Sequence, residues 1–153
     1  HTGRLADLGL ALPPVPAPAA AYVPAVRHGD LVIVSGQLPL RDGTLLATGL
    51  VGSDVTPDDA AEFARVCALN ALAAAASVAG SLDAIASVLR VGVFVASADG
   101  FTAQHLVANG ASQLLSDVLG PGAVHARAAV GVARLPLDAP VEVEAMLTVV
   151  PGA

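Results

Sequence analysis

The apolar positions of this chain fall into short β-prone runs and two longer stretches of helical character, divided by glycine and proline. Residues 22–28 and 31–37 are β-prone segments joined by Gly29-Asp30, whose residue types suit a tight hairpin turn. The second, beginning Leu31-Val32-Ile33-Val34, is almost continuously apolar and predicts a strand covered on both faces. Arg41-Asp42-Gly43 predicts the next turn, and residues 44–48 a short third strand. At Thr56-Pro57-Asp58-Asp59 a helix should start, because threonine can cap, proline is tolerated at the first helical position, and acids favour the positive end of the helix. It should run to Ala79 and stop at Gly80. Its alanine-rich face, with Phe63, Val66, Leu69 and Leu72 as the larger members, predicts a close approach to a sheet. Residues 87–96 read as a strand. Asp99 is expected to cap a second helix, from about Gly100 to Leu119, that ends at Gly120-Pro121. Residues 126–135 and 141–150 read as closing strands joined by a turn at 136–140.

Helices inserted between strands in this order predict an α+β domain, a mixed β-sheet with two helices packed on one face. The other face is left to be covered, and one tyrosine, three phenylalanines and no tryptophan supply little aromatic bulk for it. Oligomerisation through that face is the expected remedy. Ahead of the domain, residues 4–10 can form one helical turn, and residues 12–18 carry four prolines, which forbids a helix or central strand and predicts an extended surface arm. We divide the chain into an N-terminal extension with this arm, residues 1–21, and a domain over residues 22–153.

Composition narrows the chemistry. Although 55% of residues are hydrophobic, no charge-free apolar run of about 18 residues occurs, so a membrane span is not expected. No basic region followed by an apolar one opens the sequence, and cytoplasm is the expected compartment. Seven arginines, no lysine and thirteen acids give a net charge of −6, which disfavours nucleic acid as a partner and ribonuclease as an activity. The single cysteine, Cys67, lies in the alanine-rich helical pattern and reads as a small buried hydrophobe. His1, His28, His105 and His125 lack metal-ligand spacing, and no glycine-rich phosphate loop follows a strand, so neither a metal nor a nucleotide is expected. Ser35 is outside any nucleophile-elbow setting.

The informative residues lie near the C-terminus. Arg127 sits among small apolar residues in the run 125–136, HARAAVGVARLP, and must find an anion or reach solvent. Its planar fork suits a carboxylate ligand, an intramolecular ion pair or an exposed edge position. Glu142 and Glu144 alternate with valines in Val141-Glu142-Val143-Glu144-Ala145 and share one strand face, either solvated or, if this strand pairs with that of Arg127, beside the arginine. His125, two residues before Arg127, should share its face and could touch a ligand or lie at the surface. In the second helix, Gly110 within Asn109-Gly110-Ala111-Ser112 predicts close packing against the sheet or another subunit, since glycine there costs about 1 kcal/mol relative to alanine.

Three segments together resemble the RidA/YjgF family, also described as L-PSP endoribonucleases and translation inhibitors: Tyr22-Val23, VSGQLP at 34–39, and HARAAVGVARLP with VEVEA at 125–145. The resemblance covers about residues 18–149. It implies a chorismate-mutase-like α+β fold, a homotrimer whose sheets form a central barrel, and inter-subunit pockets for a small carboxylate-bearing molecule. It further implies a hydrolase that deaminates enamine/imine intermediates derived from 2-amino acids, without a cofactor. The carboxylate-binding arginine then falls on Arg127, the water-positioning acid on Glu142 and the pocket tyrosine on Tyr22, with His125 and Ala129 as further substrate contacts. Ala129 stands where the deaminase branch often has cysteine, His125 where proline or alanine is usual, and Ala20-Ala21 where Gly-Pro is common. The sequence thus looks like a divergent subfamily, and a non-catalytic carboxylate-binding or sensing protein on the same scaffold is the alternative reading.

Overall fold

A computed structural model of the chain describes residues 1–15 and 21–152. The first helix, α1 (Thr2–Asp7), is followed by β1 (Ala25–His28) and β2 (Leu31–Gln37), then the short β3 (Leu40–Arg41) and β4 (Thr44–Leu45). After these come α2 (Pro57–Ala79), β5 (Ile85–Ala96), α3 (Gln104–Leu119), β6 (Ala126–Val132) and β7 (Val141–Val149). The five-stranded sheet has the order β1-β2-β7-β5-β6, and β3 and β4 form a separate ribbon. It is a mixed α+β fold with α2 and α3 packed on each other and on one sheet face.

Local chemistry explains α2. Thr56 Oγ1 accepts from the Asp59 N–H at 3.1 Å, Pro57 occupies the first turn, and Gly80 ends the helix at φ +97°. Ala60, Ala64, Cys67, Ala68, Ala71, Leu72 and Ala75 are buried along its inner face. Each alanine methyl contributes only about 0.8 kcal/mol of burial, but the small face lets the helix backbone approach the sheet closely. By length and hydropathy α2 could span a bilayer, yet half of that window is buried inside the fold, as in a core helix. Gly110 of α3 faces the backbone of α2: a Cβ there would lie 1.9 Å from the Ala61 carbonyl oxygen, so the close packing of this glycine is against the other helix, where the sheet or another subunit was expected.

Several boundaries differ from the sequence expectation. The second helix begins at Gln104 after Ala103, not at Gly100 after Asp99. Gly100 (φ +77°) makes a turn in which the Phe101 N–H bonds to Ala98 O, and Phe101 packs against the core. The third strand shrinks to Thr44–Leu45, because the Asp42-Gly43 turn, with both residues at positive φ, closes a two-residue ribbon. The second strand is not covered on both faces: Val32 and Val34 are buried, whereas Ile33 is 42% exposed.

The largest correction concerns the last two strands. β6 and β7 are not neighbours, because α3 carries the chain across to lay β6 parallel to β5, and β7 pairs antiparallel with the other edge of β5. The N-terminal segment is tied in: Thr2 donates to Asp83 through its N–H at 3.0 Å and its hydroxyl at 2.6 Å, Leu5 is buried, and Leu10 and Leu12 pack against the core. Of the proline arm, Pro13 is half-buried and Pro14 exposed, and Pro16 and Pro18 lie outside the described residues, as does Ala20.

Candidate functional site

Arg127 stands on β6, a strand exposed along most of its length at the sheet edge. Its register partner is Val91 of β5, in turn opposite Ala145, and both are buried on the helix side. The side chain accordingly turns towards α3. Nη1 donates to Asn109 Oδ1 at 2.9 Å and Ser112 Oγ at 3.1 Å, and Nη2 donates to His105 O at 3.1 Å. All three acceptors are neutral. Arg65, Arg90 and Arg134 each pair with a carboxylate, Asp117, Glu144 and Asp138 respectively, but among the described residues no acid lies within ion-pair distance of Arg127. Its plane is fixed by protein groups, its charge is unneutralised, and two of the five donors of a guanidinium remain for a ligand.

His125 and Ala129 share that face with Arg127. His125 reaches Ser112 Oγ through Nε2 at 2.9 Å and Ala123 O through Nδ1 at 2.5 Å. Ala129, opposite Val93, packs against the core and adds no polar atom. The polar pair Asn109 and Ser112 escaped sequence reading, although two polar side chains three apart share one face of a helix, here flanked by the buried Ala108 and Ala111. That spacing was the signal available.

Glu142 projects from the opposite face of the sheet. It alternates with the buried Val141 and Val143 and is registered against Phe94. Gly36 makes room for its carboxyl, since a Cβ at Gly36 would lie 1.9 Å from Glu142 Oε1. The glycine of the VSGQLP run therefore serves the acid directly. Burial, and then the charge of Glu144 on the same face, raise the Glu142 pKa above the ordinary carboxylate value. Because the folded state holds this proton more tightly than the unfolded chain, stability is greatest with Glu142 protonated. It falls as pH rises through the unfolded glutamate pKa, and the loss is complete above the raised folded one. Glu142→Gln should then be more thermostable than the native chain at neutral pH, with the gain vanishing in acid below the ordinary glutamate range. Thermal melts across pH check this, and a gain that persists undiminished in acid would contradict it.

Within one chain these groups do not meet. β5 lies between the strands of Arg127 and Glu142, and Glu142 emerges from the other face, so of the two alternatives for the glutamates the one that sets them beside the arginine by pairing of the last two strands does not hold. Tyr22 precedes β1, beyond the opposite sheet edge, and is 56% exposed. Cys67 is a buried core thiol whose Sγ lies 3.7 Å from Val141 O, and burial pushes its pKa well up. Among the described residues no group of three or more His, Cys, Asp or Glu side chains is arranged to hold a metal ion.

The family model for Endoribonuclease L-PSP matches residues 14–149. Protein TCP17 of Trypanosoma cruzi is 44% identical over 145 residues, covering 94% of this chain and 91% of that protein. A protein of unknown function from Agrobacterium tumefaciens is 47% identical, with a TM-score of 0.87 over 97% of this chain and 92% of that one. Escherichia coli TdcF, solved with bound serine, is 26% identical, with a TM-score of 0.62 over 88% and 92% of the two chains.

Proposed function

We propose, from the premise that this chain belongs to the Endoribonuclease L-PSP family, which is the RidA/YjgF family, that it hydrolyses small imines or enamines derived from 2-amino acids. The observation that carries the reading is the guanidinium of Arg127, oriented by three neutral acceptors and without a counter-ion among the described residues. Such a group is preorganised for a carboxylate. That TdcF binds serine, a small carboxylate, supports the same choice of ligand.

Because Arg127 and Glu142 leave opposite sides of one sheet, the reading requires a homotrimer in which Glu142 of the partner subunit faces the arginine-bound ligand. Val26, Ile33 and Val130, 42–50% exposed on the face that carries Glu142, supply apolar surface for that association. Tyr22 of the partner subunit closes the pocket beside His125. An enamine first takes a proton on its β-carbon from solvent to become the imine. Glu142 orients a water and takes its proton as the oxygen bonds to the imine carbon, the π electrons pass to nitrogen, and Glu142 returns that proton to the nitrogen. Collapse of the resulting carbinolamine breaks the C–N bond, releasing ammonia and a 2-keto acid with no cofactor. An acid whose pKa is raised by burial is suited to carrying this proton. The acidic net charge of −6 speaks against RNA as the substrate. This is chemistry of the cytoplasm, where such intermediates arise.

The test is ammonia release from imines generated in situ by an amino-acid oxidase across a panel of amino acids. The reading expects acceleration by the native chain and a loss of about 100-fold or more in Glu142→Gln, the usual scale of a general base. Saturable binding of small carboxylates without acceleration on any substrate would favour the carboxylate-binding protein instead.

A further inference from the structure

A second constellation, which shares Arg127 and His125 with the proposed imine site but needs neither Glu142 nor imine chemistry, lies where α3 meets the start of β6. An open cleft of about 490 Å³ is lined there by Asn109, Ser112, Gln113, Ser116, Val124 and His125. His125 Nδ1 is 2.5 Å from Ala123 O, and a carbonyl oxygen can only accept. Nδ1 therefore carries the proton of the neutral ring, and Nε2 presents its lone pair. That nitrogen lies 2.9 Å from Ser112 Oγ, so the serine hydroxyl donates to it. Arg127 Nη1 donates to the same oxygen at 3.1 Å. Ser112 Oγ is thus held between a base placed to take its proton and a cation that stabilises negative charge on it. The backbone carbonyl orients the imidazole as a carboxylate does in a Ser-His-Asp triad, though without the charge.

Asn109 completes the arrangement. It lies one turn before Ser112 on the same face of α3, and its Oδ1 must be the atom facing Arg127, because a guanidinium only donates. Its Nδ2 is then the donor offered to a ligand in the cleft. Ser112 and His125 are both half-buried, so they are ordered by their partners while remaining open to a small molecule.

We infer that Ser112 is a nucleophile for acyl transfer, with His125 as its general base, acting on small carboxylic esters bound in this cleft. Oγ bonds to the ester carbonyl carbon while its proton passes to His125 Nε2, and the carbonyl electron pair moves to oxygen, within reach of donors from Asn109 and Arg127. Collapse of the tetrahedral adduct breaks the C–O bond to the alcohol, which leaves with the proton from Nε2. Water then attacks the acyl-serine, gives its proton to Nε2 and forms the carboxylic acid, and Ser112 recovers its proton as it departs. No oxidant, metal or further reactant enters the balance.

The test is covalent labelling of the full chain by a small fluorophosphonate, located by peptide mass spectrometry, together with the burst of nitrophenol from a short-chain nitrophenyl ester. The expected result is one adduct on Ser112, absent in Ser112→Ala and formed about 100-fold more slowly in His125→Gln, the scale of general-base assistance. Ser77→Ala should label as the native chain does, since Ser77 Oγ only donates to Ala74 O within α2. Native protein that forms no adduct on Ser112, or an adduct forming at the same rate in His125→Gln, overturns the inference. Location of the adduct on native protein does not depend on the folding of any variant. Because the probe reads Ser112 directly, failure of the imine assay leaves this result standing, and the reverse holds.

Discussion

Arg127→Ala should lower affinity for a small carboxylate by about 100-fold, or roughly 2.7 kcal/mol, while leaving the fold intact. The affinity loss follows from removing the charge and both remaining donors of a guanidinium that has no carboxylate partner among the described residues. The small effect on folding follows from its place: the side chain is exposed on an edge strand and bonds only to Asn109, Ser112 and His105 O, so the cost in stability should stay within about 1 kcal/mol. Arg127→Lys should restore charge but little affinity, because a single ammonium cannot reproduce the fork. Titration calorimetry with serine or a 2-keto acid, beside a thermal melt, separates the two effects. Equal binding by the alanine variant would mean that the carboxylate is held elsewhere.

Gly110→Ala has the largest expected effect on stability. Alanine in a helix normally gains about 1 kcal/mol over glycine. Here the new methyl would stand 1.9 Å from Ala61 O, 2.7 Å from its carbonyl carbon and 3.1 Å from its Cα, and a backbone cannot be relieved by a rotamer change. α2 and α3 must move apart, and overpacking of this kind costs about 3 kcal/mol, so the net loss is about 2 kcal/mol and the melting temperature falls by roughly 4–8 °C. Gly3→Ala is the contrast, because α1 is helical at Gly3 and an added methyl there meets nothing within 4 Å. It should be neutral or stabilising by up to about 1 kcal/mol. Denaturant unfolding of both variants tests the pair, and equal stability at the two positions would show that the helix contact at Ala61 yields more readily than its geometry implies.

What could be read from the sequence was what short-range chemistry decides. The start of α2 at Thr56-Pro57 and its end at Gly80 depend on a side-chain oxygen, a missing N–H and a positive φ, all local. Arg127 was conspicuous because a cation among alanines has few places to go. Its shared face with His125 followed from strand alternation, and both do reach α3. What could not be read was the partner of each strand. Residues 133–140 join β6 to β7 and are as short as a hairpin connection, yet the slot beside β6 was already taken by β5, whose pairing is decided by the path of α3. That non-local choice sends Arg127 and Glu142 to opposite sides of the sheet. The role of Gly36 was hidden for the same reason, since Glu142 lies about a hundred residues away and reaches it only through the β2–β7 pairing.

The central claim is that the catalytic pocket takes Arg127 from one subunit and Glu142 from its neighbour. The direct measurement is to co-express Arg127→Ala and Glu142→Gln chains, each inactive alone in ammonia release, and purify the mixed trimers through two different tags. Every mixed cyclic trimer, of either composition, has one junction in three at which a pocket shared across subunits regains both native groups, so about a third of native activity should return. Mixed trimers that form but remain as inactive as either parent would contradict the account, because they would confine the working arginine and glutamate to a single chain.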